Sequence, residues 1–216
     1  MRNDKMIDLA VYNIQGQEVE SLKIDKEVLG GSVRYPLLKQ AIVMYHANKH
    51  VGTAANKDRS MVAGSDKKLF KQKGTGNARV GNSRTGKRVG GGVTFAKAMR
   101  DFGKLMPKKQ KKLARNSAIL AKLLSNNLVV VDELKFDKPK TSDFVNVLNN
   151  LKIERSCIVS IPTVDENIYK SAKNVPQVTI TPVNDLNAGE ICRFKKMLFT
   201  KEALLSILNQ DKESKN

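Results

Sequence analysis

The sequence predicts an α/β fold, with a mostly parallel central sheet, helices on both faces, and a long basic extended loop inserted after the first helix. Three observations predict it. From Leu128 onward, short apolar runs alternate with amphipathic segments, as strands and crossover helices do. Between His46 and Lys112 the pattern stops: no hydrophobic periodicity runs from Gly52 to Gly92, and ten of the 14 glycines lie in the stretch. The same stretch holds 18 of the 39 lysines and arginines but only three acids, Asp58, Asp66 and Asp101, so it carries 15 of the 18 net positive charges.

The first elements are local. Ile7–Ile14 alternates as a strand does, turns at Gln15-Gly16, and returns as a second strand near Val19–Ile24. Tyr35-Pro36 opens a helix, with proline in its first turn and Leu37, Leu38, Ala41, Ile42 and Tyr45 as its buried stripe. Order resumes at Pro107 with a helix whose inner face is Leu113, Ala114, Ser117, Ala118, Ala121 and Leu124. Lys108, Lys109, Lys111 and Lys112 crowd the start of that helix, where the macrodipole disfavours cations, so a partner rather than helix stability accounts for them.

Downstream, Leu128–Asp132 reads as a strand buried on both faces. Thr141 is placed to cap a helix with Phe144, Val147, Leu148 and Leu151 inward. Cys157–Ile161 is the next strand, and Asp165–Lys173 a short helix with Ile168 and Ala172 on one side. Val178–Ile180 and Met197–Phe199 are strands bracketing a short helical or looped piece, and Thr200 caps a last helix, Lys201–Asn209. The expected organisation is one globular domain of residues 1–50 and 106–210, an extended basic loop of residues 51–105, and a polar tail, 211–216.

Outside the basic stretch, 21 basic residues face 18 acids, an ordinary globular balance. The excess charge is therefore local, as a docking surface requires. So polar a segment buries too little apolar area to offset its ordering entropy, and is expected to order only against a large polyanion. Its cations alternate with glycines that let backbone approach phosphates, Gly74, Gly76, Gly81, Gly90, Gly91 and Gly92 among them. Gln72, Asn77 and Asn82 offer amides to bases or sugars, and Phe70, Phe95 and Phe102 offer rings for stacking.

Other chemistries fit poorly. Gly81-x4-Gly86-Lys87 matches a phosphate loop up to its last position, but Arg88 stands where Ser or Thr would hold Mg²⁺ and Gly90-Gly91-Gly92 forbids the following helix. A phosphate-loop nucleotide hydrolase is thus the weakest alternative, and a basic architectural nucleic-acid-binding protein the next. His46 and His50 lack a third ligand nearby, and Cys157 and Cys192 lack CxxC spacing, so no metal, cofactor or catalytic residue is expected. Two isolated cysteines suit reduced thiols in a cytoplasmic setting, and no apolar run reaches membrane-span length. Glycines also preclude the amphipathic helix of a lipid-binding patch. A roughly 45-residue excursion folded back on itself reaches about 60–70 Å, deeper than duplex DNA needs but suited to threading a large folded RNA. Ten phosphate contacts would give a salt slope of about −7 to −9.

The residues also carry a resemblance. Gly52-Thr-Ala, Lys57-Asp-Arg59, Lys71-Gln-Lys-Gly-Thr-Gly-Asn-Ala-Arg79, Gly90-Gly-Gly-Val-Thr-Phe95, Arg100-Asp-Phe102 and Pro107-Lys-Lys109 come in one family's order and spacing. Leu113–Ala118, Leu128–Asp132 and Pro139-Lys-Thr141 continue it. The chain resembles bacterial members of the fourth large-subunit ribosomal protein family over nearly its whole length. That resemblance implies a non-enzymatic structural constituent of the large ribosomal subunit in the cytoplasm, binding large-subunit ribosomal RNA and neighbouring ribosomal proteins. It further implies a role in early subunit assembly, no membrane and no obligate homo-oligomer. The loop tip, carried over as Gly64–Gly76 with Lys67, Lys68, Phe70, Lys71 and Lys73, is expected beside the nascent polypeptide in the exit tunnel. With them, Lys57, Arg59, Gln72, Arg79, Arg84, Lys87, Arg88, Arg100 and Lys108, Lys109, Lys111 and Lys112 are the expected RNA contacts. Two places differ from the family pattern: Leu69-Phe70 replaces Pro-Trp, and Arg88 replaces a second tryptophan.

Overall fold

Side-chain alternation along the strands decides the architecture. The computed structural model describes residues 6–154 and 156–213. Its sheet has six strands: β1 (Met6–Tyr12), β2 (Glu18–Asp25), β3 (Leu128–Val131), β4 (Cys157–Ile161), β5 (Val178–Pro182) and β6 (Lys196–Thr200). Their order across the sheet is β2-β1-β3-β6-β4-β5. β1 and β2 form an antiparallel hairpin, and every other neighbouring pair is parallel. β6, last in the chain, lies between β3 and β4, with Val130 opposite Phe199 and Val159 opposite Leu198.

Successive side chains on these strands enter opposite clusters. Cys157, Val159, Ile161 and Leu198 point to one face; Ile158, Met197 and Phe199 point to the other. Helices α1 (Tyr35–Asn48), α2 (Lys108–Leu124), α5 (Ala188–Arg193) and α6 (Lys201–Glu213) supply the larger cluster, through residues such as Ala41, Ile119, Ile191 and Leu204. Helices α3 (Thr141–Asn150) and α4 (Glu166–Lys173) cover the second face with Phe144, Leu148, Ile168 and Ala172. Burial of each large side chain contributes about 1.5–3 kcal/mol. The Cys157 thiol lies in this second cluster, and desolvation pushes its pKa up to about 12.

Several local expectations need correction. In α1, Ile42 is 39% exposed and Met44 is buried in its stead, because Leu38, Ala41 and Met44 follow one i, i+3 row. In α2 the buried face includes Ile119, Leu120 and Leu123, while Leu124 is half exposed. Thr141 does not cap α3; Lys140 occupies the N-cap position, without a side-chain hydrogen bond. Asp165 lies outside α4 and caps it, its carboxylate accepting from the Asn167 N–H. Thr200 does cap α6, its hydroxyl accepting from Ala203 N–H at 3.4 Å, but the helix runs on to Glu213. Residues 214–216 of the expected tail lie outside the described residues.

By its internal contacts the chain divides into two compact units, residues 47–104 and the remainder. The sheet and nearly all helical residues belong to the latter, and no helix or strand occurs between Asn48 and Lys108.

Candidate nucleic-acid interface

The basic unit is a doubled-back excursion whose two limbs are tied by backbone. At its base the Asn48 side chain brackets Lys104, accepting from its N–H at 2.8 Å and donating to its carbonyl at 3.3 Å. Arg100 N–H then donates to Gly52 O at 3.1 Å, Asn56 N–H to Lys97 O at 2.9 Å, and Val93 N–H to Lys57 O at 2.9 Å. Farthest along the chain, Leu69 N–H donates to Gly81 O at 3.2 Å, enclosing a turn of residues 70–80. A side turn, residues 84–92, is closed by Gly92 N–H donating to Arg84 O at 3.0 Å.

Glycine makes these ties possible. A β-carbon on Gly52 would sit 1.7 Å from Arg100 O, one on Gly91 2.0 Å from Thr85 O, and one on Gly92 2.2 Å from Arg59 N. These glycines therefore serve the loop's own backbone. Gly74, Gly76 and Gly90 differ: each has positive φ, and nothing lies near where a β-carbon would be. They turn the chain without filling space, leaving backbone open to a ligand.

The three acids of the stretch each accept hydrogen bonds from the loop itself. Asp58 accepts from Ser60 N–H, the Ser60 hydroxyl and Met61 N–H at 2.5–3.0 Å, and these bonds, the hydroxyl foremost, hold its carboxyl below the usual carboxylate range. Asp66 takes Arg84 Nη1 at 3.0 Å and Asn82 Nδ2 at 3.4 Å across the limbs. Asp101 accepts from Gly103 N–H at 2.7 Å. Charge counting misses this role, because it treats acids as dilution. The legible signal is the local pattern Asp58-x-Ser60, Ser65-Asp66 and Asp101-x-Gly103, which favours side-chain-to-backbone turns.

The expected contact residues divide between the units. Lys108, Lys109, Lys111 and Lys112 begin α2, whose first turn holds no acid. The others lie in the basic unit, where Lys57, Arg59, Lys67, Lys68, Lys71, Lys73, Arg79, Lys87, Arg88 and Arg100 are exposed. Lys71, Gln72, Lys73 and Arg79 fall within the turn of residues 70–80, which contains no acid, and Lys67 and Lys68 on the outgoing limb. Lys68 Nζ donates to Gln72 Oε1 at 2.5 Å. Arg84 is different: its side chain is 18% exposed and committed to Asp66.

Among the aromatic rings, Phe95 is 92% exposed and Phe70 half-buried. Phe102 has Arg100 over its face at 4.4 Å and His50 at 5.7 Å. Near the base, Val51, Gly52, Ala54, Lys97, Ala98, Arg100 and Phe102 line a cleft of about 550 Å³. With two cations and an aromatic wall it has room for a nucleobase and its phosphate. Lys97 is a cation of this cleft that the sequence reading did not single out.

Residues 81–92 hold neither a preceding strand nor a following helix, so Gly81–Lys87 lacks the setting of a phosphate loop. Among the described residues no group of three or more His, Cys, Asp or Glu is placed to hold a metal ion. No helix there is long and apolar enough to cross a membrane.

Comparison with known proteins places the chain in a family. The ribosomal protein L4/L1 family matches residues 22–209. The large ribosomal subunit protein uL4 of Agathobacter rectalis is 39% identical over 202 residues, 94% of this chain and 98% of that protein. Its counterpart in Alkaliphilus oremlandii is 38% identical over 202 residues with the same coverage. That of Rhodopirellula baltica is 40% identical over 200 residues, 92% of this chain and 90% of the relative. A match of this length takes in both the α/β unit and the basic one, and the chain belongs to the ribosomal protein L4/L1 family of large-subunit ribosomal proteins.

Proposed function

We propose that the protein binds large-subunit ribosomal RNA through the basic unit, supports early subunit assembly, and brings the turn of residues 70–80 beside the nascent polypeptide in the exit tunnel. The observation that carries this reading is the partition of charge. Residues 47–104 expose ten or more cations against three acids, each of which accepts hydrogen bonds from within the unit, so the unit presents a strongly positive surface. Phosphate oxygens neutralise such a surface with release of counterions. The open glycines Gly74 and Gly76 admit RNA backbone close to the turn. Lys108 and Lys109 add cations at the start of α2, and neighbouring ribosomal proteins complete the surroundings.

The test is sedimentation. The protein is expected to travel with large subunits, to be released by ribonuclease, and to crosslink from position 71 to a stalled nascent chain. Retention after ribonuclease treatment overturns RNA as the primary partner. Crosslinks from position 71 to RNA alone, with none to the nascent chain, overturn the tunnel placement and leave RNA binding standing.

A further inference from the structure

The carboxylates of the basic unit pose a problem in electrostatics. On net charge alone a surface meant for a polyanion gains affinity when an acid is removed from it, yet three acids persist, and each has hydrogen-bond partners within the unit. Asp66 has the most consequential place. It joins Asn82 and Arg84, sixteen and eighteen residues away on the returning limb, just before the Leu69–Gly81 bond that closes the turn. A second cross-limb bond, from the Ser83 hydroxyl to Ser65 O, flanks it. Arg84 Nε and Asn82 Oδ1 are withdrawn from solvent beside it without partners of their own. Removing Asp66 would therefore strand a guanidinium already largely desolvated. On the same residue, Arg84 O receives Gly92 N–H, so the ion pair also anchors the side turn.

We infer that Asp66 is a positioning residue for RNA recognition: its carboxylate pins Arg84 and fixes the two limbs before RNA arrives, so that the turn of residues 70–80 meets phosphates in one arrangement. Asp58 acts in the same sense nearer the base, where its turn packs Arg59 backbone against Gly92. The inference rests on the RNA-binding reading above for its consequence, but its structural content concerns the free protein. It also revises the expectation that the stretch orders only on a polyanion. Backbone ties through glycine and carboxylate supply order that a count of buried apolar area does not register.

The experiment uses the full chain with Asp66→Asn and Asp66→Glu. In the free protein, amide exchange at Leu69 and Gly92 is expected to be slowed relative to an unstructured peptide and to speed up in Asp66→Asn. Exchange at the unstructured rate in the unsubstituted protein overturns the inference, whatever happens with RNA. For binding, large-subunit ribosomal RNA and long-chain inorganic polyphosphate serve as the two probes. Simple electrostatics predicts that Asp66→Asn binds both more tightly, since a negative charge is gone. The pin predicts the opposite sign for the folded RNA alone. Affinity for it should fall about five- to tenfold, as the loss of one charge-assisted bond implies, while polyphosphate binding holds or strengthens. Asp66→Glu, which keeps the charge and the acceptor, should recover most of the loss. Unchanged or tighter RNA binding by Asp66→Asn overturns the inference, and so does an equal loss on both probes. Failure of the unsubstituted protein to prefer ribosomal RNA over polyphosphate instead overturns the proposed function, with the exchange result still deciding the pin.

Discussion

The two units of this chain are held by different physics. In the α/β unit, Phe144, Ile158, Leu198 and Phe199 are fully buried, and order follows from apolar area removed from water. In the basic unit Gly92 is the one buried residue, and order follows from hydrogen bonds between limbs that glycine lets approach. The first kind of order tolerates any partner, because its determinants face inward. The second leaves the surface free to be almost entirely cationic. The contrast teaches that a segment without a core can still be specified, provided its backbone rather than its side chains makes the contacts.

The largest effect that would sharpen the contrast comes from excising Gly64–Arg88 behind a short glycine-serine closure. Eight cations leave with it. Affinity for large-subunit RNA is expected to fall on the order of a thousandfold, measured by filter binding. The urea transition of the α/β unit should keep its cooperativity. A broadened transition would show that the two kinds of order are not separable.

Phe199→Ala attacks the other side. With its neighbours Met197 and Leu198 also at 0% exposure, the site has little room to collapse. A loss of about 3–5 kcal/mol is expected from the denaturation midpoint. RNA affinity of the folded fraction should be unaltered, and a parallel drop in affinity would break the separation.

The smallest and most discriminating effect compares two glycines in one unit. Gly92→Ala drives a β-carbon to within 2.2 Å of Arg59 N and must displace backbone, so RNA affinity should drop about tenfold, a shift of roughly 1.4 kcal/mol. Gly74→Ala, at φ +83 with nothing nearby, costs only about 1–2 kcal/mol of local strain, which the open turn relieves by shifting. Its effect on affinity should be several-fold smaller. Equal losses would mean that both glycines serve the ligand rather than the backbone.

Much of this was legible in the sequence, for reasons that also explain the gaps. Leu128–Val131 and Cys157–Ile161 are continuous apolar runs, and doubly buried strands leave that mark. The position of β6 between β3 and β4 leaves none, because strand order is set by pairing between distant residues. Ile42 and Met44 exchanged places because several apolar residues of α1 compete for one narrow stripe. In the basic unit the cations were plain, whereas Arg84 is chemically indistinguishable in sequence from an RNA contact. Only its 3.0 Å approach to Asp66 separates the two roles.

The place of β6 bears on how the protein is made. Ribosomes deliver the chain from its N-terminus at about 5–20 residues per second. Residues 47–104 are thus complete well before Lys196–Thr200, the strand that alone brings β3 and β4 into one sheet. The intervening stretch of roughly a hundred residues takes about 5–20 s to synthesise. Throughout that interval the cationic limbs are fully present, while β3 and β4, once each is made, lack the strand that joins them. A chain stopped between Lys104 and Lys196 carries the whole basic unit without the strand that joins β3 to β4.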